Sequence, residues 1–319
     1  MLQVRNLQKH YPIRKGIFSR VVGAVRAVQD VSFDIGTSEV LGLAGESGSG
    51  KTTIGRSVLR LVEPSAGTVS FDGRNVLDFD KEQLRTFRRS AQIVFQDPFA
   101  AINPTMTIFD VIAEPLRVQK VASGSELAGR VEGLLNDVSL PLDFAKRKPQ
   151  ELSGGQRQRV VIARALSLEP KFIVADEPVS ALDVSIQAQI IGLLEDLRHS
   201  RGLSMLFISH DLAVMRYLSD RIAVVYLGRI MEIGNAKQLC DSPRHPYTQA
   251  LLSAVPGHAG AEGRIVLKGD APDPRNPPSG CVFRSRCVHA KPECADGIPP
   301  LQDVGEGRQL ACIRYRELG

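Results

Sequence analysis

The sequence has no apolar run long enough to cross a lipid bilayer, which takes about 20 predominantly apolar residues. Its longest apolar stretches, such as 222–227, have the length of a single strand. Residues 1–12 carry Arg5 and Lys9 and have no apolar core, so they lack the pattern of a secretory signal peptide. We therefore expect a chain that stays in the cytosol and contains no membrane span.

The sequence also lacks a strong charge bias. Its 40 Lys and Arg residues and 35 Asp and Glu residues leave a net charge of +5 over 319 residues. So small an excess does not by itself indicate a nucleic-acid or membrane-surface partner. The hydrophobic content of 43% is typical of a folded globular protein. The length allows one large domain with an appendage, or two modest domains.

Short apolar runs alternate with helical patterns along most of the chain. The predicted strands are 2–4, 26–33, 40–44, 91–95, 171–175 and 204–208. Residues 184–198 form a predicted amphipathic crossover helix, and residues 105–165 lack strand alternation. The alternation predicts an α/β fold with a mostly parallel core sheet. We expect a helical lobe inserted at about 97–165. Residues 12–23 are expected to form a solvated loop, with a membrane-surface role as the alternative.

The composition changes after about Ser253. Eight of the 19 prolines fall between Pro256 and Pro300, and such a segment cannot be a regular helix or a central strand. We therefore predict one domain over 1–258, followed by a small, loop-rich appendage over 259–319.

A glycine-rich segment follows the apolar strand at 40–44 and precedes a helical pattern. Gly45-Glu-Ser-Gly-Ser-Gly-Lys-Thr52 matches the phosphate-loop pattern G-x-x-x-x-G-K-[ST]. In such a loop, backbone N–H groups and a helix N-terminus surround phosphate groups. Lys51 is expected to reach the β- and γ-phosphates, and Thr52 to bind Mg²⁺. The predicted nucleotide-binding residues here are Gly45, Glu46, Ser47, Gly48, Ser49, Gly50, Lys51, Thr52 and Thr53.

Two carboxylates end another apolar strand, in Phe172-Ile-Val-Ala-Asp-Glu177. Asp176 is placed to help hold Mg²⁺, and Glu177 to orient and polarise the attacking water. Together with the phosphate loop, this strand predicts a nucleoside triphosphatase.

Further motifs narrow the class. Leu152-Ser-Gly-Gly-Gln156 resembles the signature motif of the ABC transporter ATPases. Four more elements stand in that family's order, namely a Q-loop glutamine, a D-loop, a switch histidine and an adenine-stacking aromatic. They correspond to Gln96, Ser180-Ala-Leu-Asp183, His210 and Tyr11. The resemblance covers about residues 1–255 and implies a P-loop ABC-type domain with an antiparallel N-terminal β subdomain.

The resemblance also implies how the residues work. Glu177, His210, Lys51 and Gln96 would be catalytic, and Thr52, Gln96 and Asp176 would hold Mg²⁺. The signature motif would grip ATP bound to the opposite subunit, so that ATP closes a dimer and hydrolysis releases it. The residues implied to act across the dimer are Ser153, Gly154, Gly155, Gln156 and Asp183.

A finer resemblance is to the oligopeptide/dipeptide and nickel importer branch. It rests on segments 95–104, 178–185 and 245–252, and on the tail motifs Asn276-Pro-Pro-Ser-Gly-Cys281 and Arg286-Cys287. It implies a peripheral subunit on the cytoplasmic face of the cell membrane, with permease partners and, indirectly, an extracytoplasmic solute-binding protein. Peptide is the expected cargo, with nickel as the alternative, and a paralogous ATPase is favoured over a second copy as dimer partner.

Two other functions are weighed against the importer. A soluble ABC ATPase that acts on nucleic acid usually has two cassettes or long insertions, which this sequence lacks, so no nucleic-acid partner is expected. A non-hydrolysing subunit is disfavoured because Glu177 and His210 are both present.

Four of the five cysteines form the pattern Cys281-x5-Cys287-x6-Cys294-x17-Cys312. This is not the C-x2-C spacing of zinc ribbons, nor a bacterial ferredoxin pattern. The resemblance to the importer tail adds a 4Fe-4S cluster as an option, and zinc and free thiols remain alternatives. Cys240 lies outside the group and is interpreted as a packed small residue.

Overall fold

The computed structural model describes residues 1–16, 19–255, 265–267 and 269–318. The strands are β1 (Leu2–Lys15), β2 (Arg20–Ile35), β3 (Val40–Ala44), β4 (Ala66–Phe71), β5 (Arg74–Asn75), β6 (Ala91–Val94), β7 (Phe172–Asp176), β8 (Ser204–Ile208), β9 (Arg221–Tyr226), β10 (Arg229–Asn235), β11 (Gln302–Asp303) and β12 (Gln309–Leu310).

The α-helices are α1 (Lys51–Val58), α2 (Lys81–Ser90), α3 (Pro98–Ala101), α4 (Ile108–Val118), α5 (Gly124–Asp137), α6 (Gly154–Leu166), α7 (Val184–Arg201), α8 (Leu212–Leu218), α9 (Ala236–Asp241), α10 (Pro246–Ser253) and α11 (Tyr315–Leu318). Single 3₁₀ turns lie at Val76–Asp78, Leu142–Lys146, Pro149–Glu151 and Pro292–Ala295. In the part of the chain that the structure describes, no helix combines the length and the apolar character that a bilayer crossing needs.

The chain divides into two compact units. The first unit comprises Met1–Ile35, Val40–Leu77 and Ser209–Gly319, and the second comprises Gly36–Glu39 and Asp78–Ile208.

The first unit contains an antiparallel sheet of order β2-β1-β4-β5 and strands in the order β11-β12-β10-β9-β3. Strand β3 pairs with β9 in parallel, whereas β9 pairs with β10 antiparallel. All five residues of β3 are buried, which is expected of a strand covered on both faces. The phosphate-loop segment begins directly after β3.

The structure corrects one prediction in this unit. The segment 12–23 was predicted to be a solvated loop, but Pro12–Lys15 continue β1, and Arg20–Gly23 belong to β2. The proline is tolerated because β4 pairs with β1 only as far as Gln8, so this edge of β1 has no strand partner at Pro12 among the described residues. Val21 and Val22 are more than half exposed, so the burial alternation that marks a strand is missing.

The second unit contains the parallel strands β8-β7-β6. Helices α4, α5 and α6 follow β6 and account for the predicted helical lobe. Helix α7 connects β7 to β8 and ends at Gly202, whose left-handed backbone (φ 62°) suits a helix C-terminus. The predicted fold class, an α/β domain with an antiparallel N-terminal sheet and an inserted helical lobe, is confirmed.

The C-terminal part of the first unit attaches to β10. Strand β12 pairs with it at Glu232↔Leu310. The Glu232 carboxylate is fully buried, where it accepts hydrogen bonds from the backbone N–H groups of Arg244 and His245 and from the Arg308 guanidinium at 2.8 Å. A buried carboxylate needs such partners because an unpaired charge is costly in the interior. The predicted boundary between 1–258 and 259–319 stays a prediction.

Candidate functional site

The phosphate loop, residues 45–52, depends on glycine at specific positions. Gly45, Gly48 and Gly50 have φ of 150°, 77° and 105°, which L-residues with a Cβ rarely adopt. A Cβ on Gly45 would lie 2.2 Å from the Val225 carbonyl oxygen, and one on Gly50 would lie 2.2 Å from that of Ala27. The loop therefore packs its backbone directly against neighbouring backbone.

Two polar groups of this loop are buried. The Lys51 side chain is 5% exposed, and its Nζ donates to the carbonyl oxygens of Gly45 and Glu46 at 2.7 and 2.9 Å. The Ser49 hydroxyl is also buried, and it has no hydrogen-bond partner among the described residues. Gly50 precedes α1 without a side-chain cap. A loop with an orphaned hydroxyl and an uncapped helix N-terminus fits a phosphate ligand.

Two more predicted nucleotide residues lie in the same unit. Tyr11 is 38% exposed on β1, opposite Val25, with the Lys9 ammonium 5.0 Å from its ring centre. His210 is exposed in the turn after β8, where Asp211 caps α8. An open aromatic face and an exposed imidazole can each interact with a ligand.

The acidic strand end lies in the second unit. Asp176 ends β7 and is 1% exposed. Glu177 has a left-handed backbone (φ 48°), and its N–H donates to the Ile208 carbonyl oxygen at 2.9 Å. Gln96, two residues after β6, donates from Nε2 to the Glu177 carboxylate at 3.0 Å. The structure thus brings together two residues separated by 81 positions that the sequence analysis assigned to one reaction.

The signature segment forms a self-capped helix N-terminus. Ser153 and Gln156 make a reciprocal capping box, with N···O distances of 2.9 and 3.3 Å. A Cβ on Gly155 would lie 2.5 Å from Cγ2 of Ile186, whereas one on Gly154 would lie 3.3 Å from Leu182. These glycines therefore allow close packing against the segment around the start of α7. Asp183, just before α7, is exposed and makes no side-chain cap.

Arg157 was not predicted as a site residue. Its guanidinium is buried, donates to the carbonyl oxygens of Pro149 and Leu152 at 2.7 and 2.6 Å, and lies 3.5 Å from the centre of the Phe99 ring. Burial lowers the pKa of this guanidinium. It therefore holds the turn that presents Ser153, and its position after the signature motif is the only sequence signal for this role.

A second unpredicted arrangement holds Glu46. The Arg286 guanidinium binds the Glu46 carboxylate at 2.7 Å, and the Glu46 N–H donates to the Tyr247 hydroxyl at 2.9 Å. The Arg286 side chain is only 9% exposed. Tyr247 is fully buried beside Tyr226 and Phe283, with ring centres 4.7 and 5.2 Å away. The sequence motifs Arg286-Cys287 and 245–252 predict an importer branch, but they carry no signal of a contact with the phosphate loop.

The four clustered cysteines line one small cavity of about 20 Å³. Backbone N–H groups of Phe283, His289 and Arg314 donate to the sulfurs of Cys281, Cys287 and Cys312. Burial raises the pKa of these three thiols, in the case of Cys281 to about 11.

Across the residues that the structure describes, no set of three or more His, Cys, Asp or Glu side chains is arranged to hold a metal ion. Cys240 is 3% exposed and is a packed residue, and burial raises the pKa of its thiol to about 11.

Comparison with solved structures defines the class of protein. The chain resembles the dimeric structure of a post-hydrolysis state of an ATP-binding cassette bound to ADP and phosphate, with a TM-score of 0.66 and 32% identity over 74% of this chain and 99% of that one. A Clostridium perfringens protein of the ABC transporter complex cbiONQ gives a TM-score of 0.65 and 26% identity, covering 76% of this chain and 90% of that one. The fold is that of an ABC ATPase cassette.

Family models match residues 28–180 as ABC transporter and residues 231–294 as the oligopeptide/dipeptide transporter C-terminal region. A putative peptide import ATP-binding protein of Brucella ovis is 54% identical over 317 residues, covering 98% of both chains. The oligopeptide transport ATP-binding protein AppF of Bacillus subtilis is 50% identical over 321 residues, covering 99% of this chain and 97% of that one.

The chain belongs to the ATP-binding subunits of ABC transporters, in the branch that carries the oligopeptide/dipeptide transporter C-terminal region. It is an ATPase coupled to transport, and its partners include membrane permease subunits. ATP and Mg²⁺ are its substrate and cofactor.

Proposed function

We propose that this subunit energises the import of di- or oligopeptides. The support is similarity along nearly the whole chain to proteins named for peptide import, including the C-terminal region that defines the branch. Nickel import is the alternative. Deleting the gene in its native cells should abolish uptake of labelled di- and oligopeptides, and the wild-type gene should restore it. Loss of nickel uptake with peptide uptake intact would contradict the proposal.

In the first unit, Lys51 and backbone N–H groups at the start of α1 bind the β- and γ-phosphates. Thr52 would help to hold Mg²⁺ through its hydroxyl, and Thr53 is the next residue of α1. Tyr11 stacks on the adenine, and His210 stabilises charge on the γ-phosphate in the transition state. The support for the loop assignment is its glycine-dependent backbone and the orphaned Ser49 hydroxyl.

In the second unit, Glu177 is the general base that orients and polarises the attacking water, and Asp176 and Gln96 contribute to the Mg²⁺ site. When bound, Mg²⁺ neutralises charge on the transferred phosphate. Residues 153–156 and Asp183 act on the ATP of the opposite subunit. Their support is the helix N-terminus at Ser153.

The observation that carries the catalytic assignment is the hydrogen bond of 3.0 Å between Gln96 Nε2 and the Glu177 carboxylate. This bond holds the carboxylate at the end of β7. With ATP bound, Gln96 would help to hold Mg²⁺. We expect Glu177→Gln to lower kcat at least about 100-fold, the loss typical of a positioned general base, while ATP binding is kept. Glu195→Gln, a carboxylate on α7, is the control. Undiminished turnover in Glu177→Gln would refute the assignment.

We further propose that the subunit lies at the cytoplasmic face of the cell membrane, where it pairs with a paralogous ATPase. A solute-binding protein outside the membrane supplies the cargo. Mild detergent extraction of the tagged protein from native cells should recover two permease subunits and a second ATPase. Recovery of this ATPase alone with the permease would favour a homodimer. Recovery only with nucleic acid or ribosomal proteins would overturn the transporter assignment.

For the cysteines, we propose that Cys281, Cys287, Cys294 and Cys312 hold a 4Fe-4S cluster that stabilises the extension. Four thiols around one cavity match the donor set of such a cluster, and N–H donors to sulfur tune it. A single zinc ion held by the same four thiolates is the alternative.

Iron and acid-labile sulfide should be found in protein purified without oxygen, and both should be lost in Cys287→Ser. Cys240→Ser, outside the group, should retain them. Metal-free protein with a folded extension would refute the cluster, and zinc in stoichiometric amount would favour the alternative.

A further inference from the structure

Glu46 contributes a carboxylate to the phosphate loop. It lies in the loop that we propose to bind phosphate, and a carboxylate there repels the anion that the loop must bind. Its side chain is 29% exposed, so it is only partly shielded by solvent. The loop therefore needs a partner that cancels this charge.

The partner is supplied from the C-terminal extension. Arg286 binds the Glu46 carboxylate at 2.7 Å and lies 6.0 Å from the centre of the Tyr226 ring. Burial lowers the pKa of this guanidinium, but the interactions with Glu46 and Tyr226 together raise the pKa above its usual value, so the group stays charged. Charge-assisted hydrogen bonds of this kind are roughly twice as strong as neutral ones, and more so away from water.

The backbone of Glu46 is also fixed. Its N–H donates to the Tyr247 hydroxyl and its carbonyl oxygen accepts from Lys51. Tyr247 packs on Phe283, which lies between Cys281 and Arg286 in the sequence. The side chain that cancels the charge and the ring that supports the backbone bond thus belong to one packed cluster.

The extension also reaches the loop at another position. Residues 271–274 line a cavity of about 210 Å³ together with residues 46–49, and the Pro274 carbonyl oxygen accepts from the Arg26 N–H at 3.2 Å. Asp273, in this cavity lining, forms an ion pair with Arg275, so a second carboxylate near the loop is also neutralised by the extension.

We infer that Arg286 is a positioning residue of the phosphate loop, and that it sets the affinity for ATP by holding and neutralising the Glu46 carboxylate. This inference rests on the proposed role of residues 45–52. It makes the C-terminal extension a part of the nucleotide site rather than an accessory.

The test is a double-mutant cycle on nucleotide affinity, measured by titration with a fluorescent ATP analogue and by KM. Arg286→Met should raise Kd and KM roughly three- to tenfold because it leaves the Glu46 charge facing the phosphates. Most of the effect should fall on KM rather than kcat. Glu46→Gln should act in the opposite direction and tighten binding, because it leaves the Arg286 charge free. The double variant should return to within about twofold of the wild type.

The two single variants are expected to change nucleotide affinity in opposite directions, and this distinguishes a role in binding from a purely structural role. A salt bridge that only stabilises the fold predicts weaker binding in both single variants. Arg286→Lys should restore part of the affinity. Arg284→Met is the matched control because the Arg284 guanidinium donates to the Ser279 carbonyl and hydroxyl oxygens, at 2.7 and 3.1 Å, rather than to the phosphate loop. Weaker binding in Glu46→Gln, or a double variant as weak as Arg286→Met, would overturn the inference.

A separate variant, Lys51→Ala, tests whether residues 45–52 form the phosphate site. Lys51→Ala should abolish nucleotide binding whatever residue stands at 286. If Lys51→Ala binds nucleotide as well as the wild type, the loop is not the phosphate site, and the inferred role of Arg286 is refuted as well. If Lys51→Ala fails to bind while Arg286→Met binds normally, the proposed function stands and only the inference fails.

Discussion

The phosphate loop and the signature turn are both glycine-rich segments that lead into a helix, yet they use glycine differently. Gly45, Gly48 and Gly50 have left-handed or extended positive φ, and the helix that follows has no side-chain cap. In the signature turn, Gly155 is needed for space beside Ile186, and Ser153 caps the helix itself. The helix after the phosphate loop thus begins without a side-chain cap, whereas the helix after the signature turn begins with a capping box made by Ser153 and Gln156.

The largest effect that this comparison predicts is that of Gly50→Ala. The new Cβ would lie 2.2 Å from the Ala27 carbonyl oxygen, and no side-chain change can relieve a clash with backbone. We expect nucleotide affinity to fall at least about 100-fold, roughly 3 kcal/mol. Gly48→Ala is the control because its Cβ meets nothing within 4 Å, and it should cost only about 1–2 kcal/mol of backbone strain. Equal affinities in the two variants would contradict the steric argument.

The next effect concerns acid stability. His245 is 1% exposed, its Nδ1 accepts from the Tyr247 N–H, and its ring N–H donates to the Ala311 carbonyl oxygen. Burial lowers its pKa from 6.5 to about 4. Because the unfolded chain takes up a proton near pH 6.5 and the folded chain does so only near pH 4, this stability is present above pH 6.5 and lost as pH falls towards 4.

Between pH 6.5 and pH 4, His245 should lower the free energy of unfolding by about 3 kcal/mol. It should appear as a falling free energy of unfolding in denaturant titrations between pH 6.5 and 4. His245→Gln should be less stable at pH 7 but show a flatter pH profile. His199, in the last turn of α7, is the control, and His199→Gln should keep the wild-type slope. An unchanged slope in His245→Gln would contradict the assignment.

A smaller effect is expected for Gly155→Ala. The added Cβ would lie 2.5 Å from Cγ2 of Ile186, an overpacking that costs about 1–3 kcal/mol. Because the obstacle is a side chain, Ile186→Ala should relieve it, which distinguishes this glycine from Gly50. ATP turnover should fall in Gly155→Ala, recover in part in the double variant, and leave nucleotide affinity unchanged. No recovery in the double variant would mean that the glycine serves another purpose.

The smallest expected effects are the changes in stability caused by replacing Ser153 and Ser49. Ser153→Ala removes the helix cap and should cost about 1 kcal/mol of stability, and Ser153→Asp should retain most of it. Ser49→Ala removes a buried hydroxyl that has no partner among the described residues, so it should be neutral or slightly stabilising without nucleotide. Thermal unfolding of the nucleotide-free protein measures both. Equal losses in the two variants would remove the distinction drawn between the segments.

The parts that sequence predicted well are those encoded locally. The phosphate loop, the acidic end of β7 and the strand Ser204–Ile208 follow from short patterns whose residues are neighbours in the chain. The strand residues within 12–23 were not predicted because their side chains are mostly exposed and do not alternate between buried and exposed positions. The Glu46–Arg286 pair joins residues 240 positions apart, and no spacing rule encodes such a contact. Likewise, Arg157 follows a known motif, but its bonds to Pro149 and Leu152 depend on the folded turn.

The buried carboxylate of Glu232 has a consequence for how this protein can change. Its guanidinium partner, Arg308, comes from the extension, and a buried charge that loses its partner costs about 3–5 kcal/mol. A chimera that joins this cassette to an extension without that arginine should therefore fold poorly unless Glu232 is replaced as well. The two residues constrain each other, so cassette and extension are expected to be inherited, exchanged and engineered as one piece.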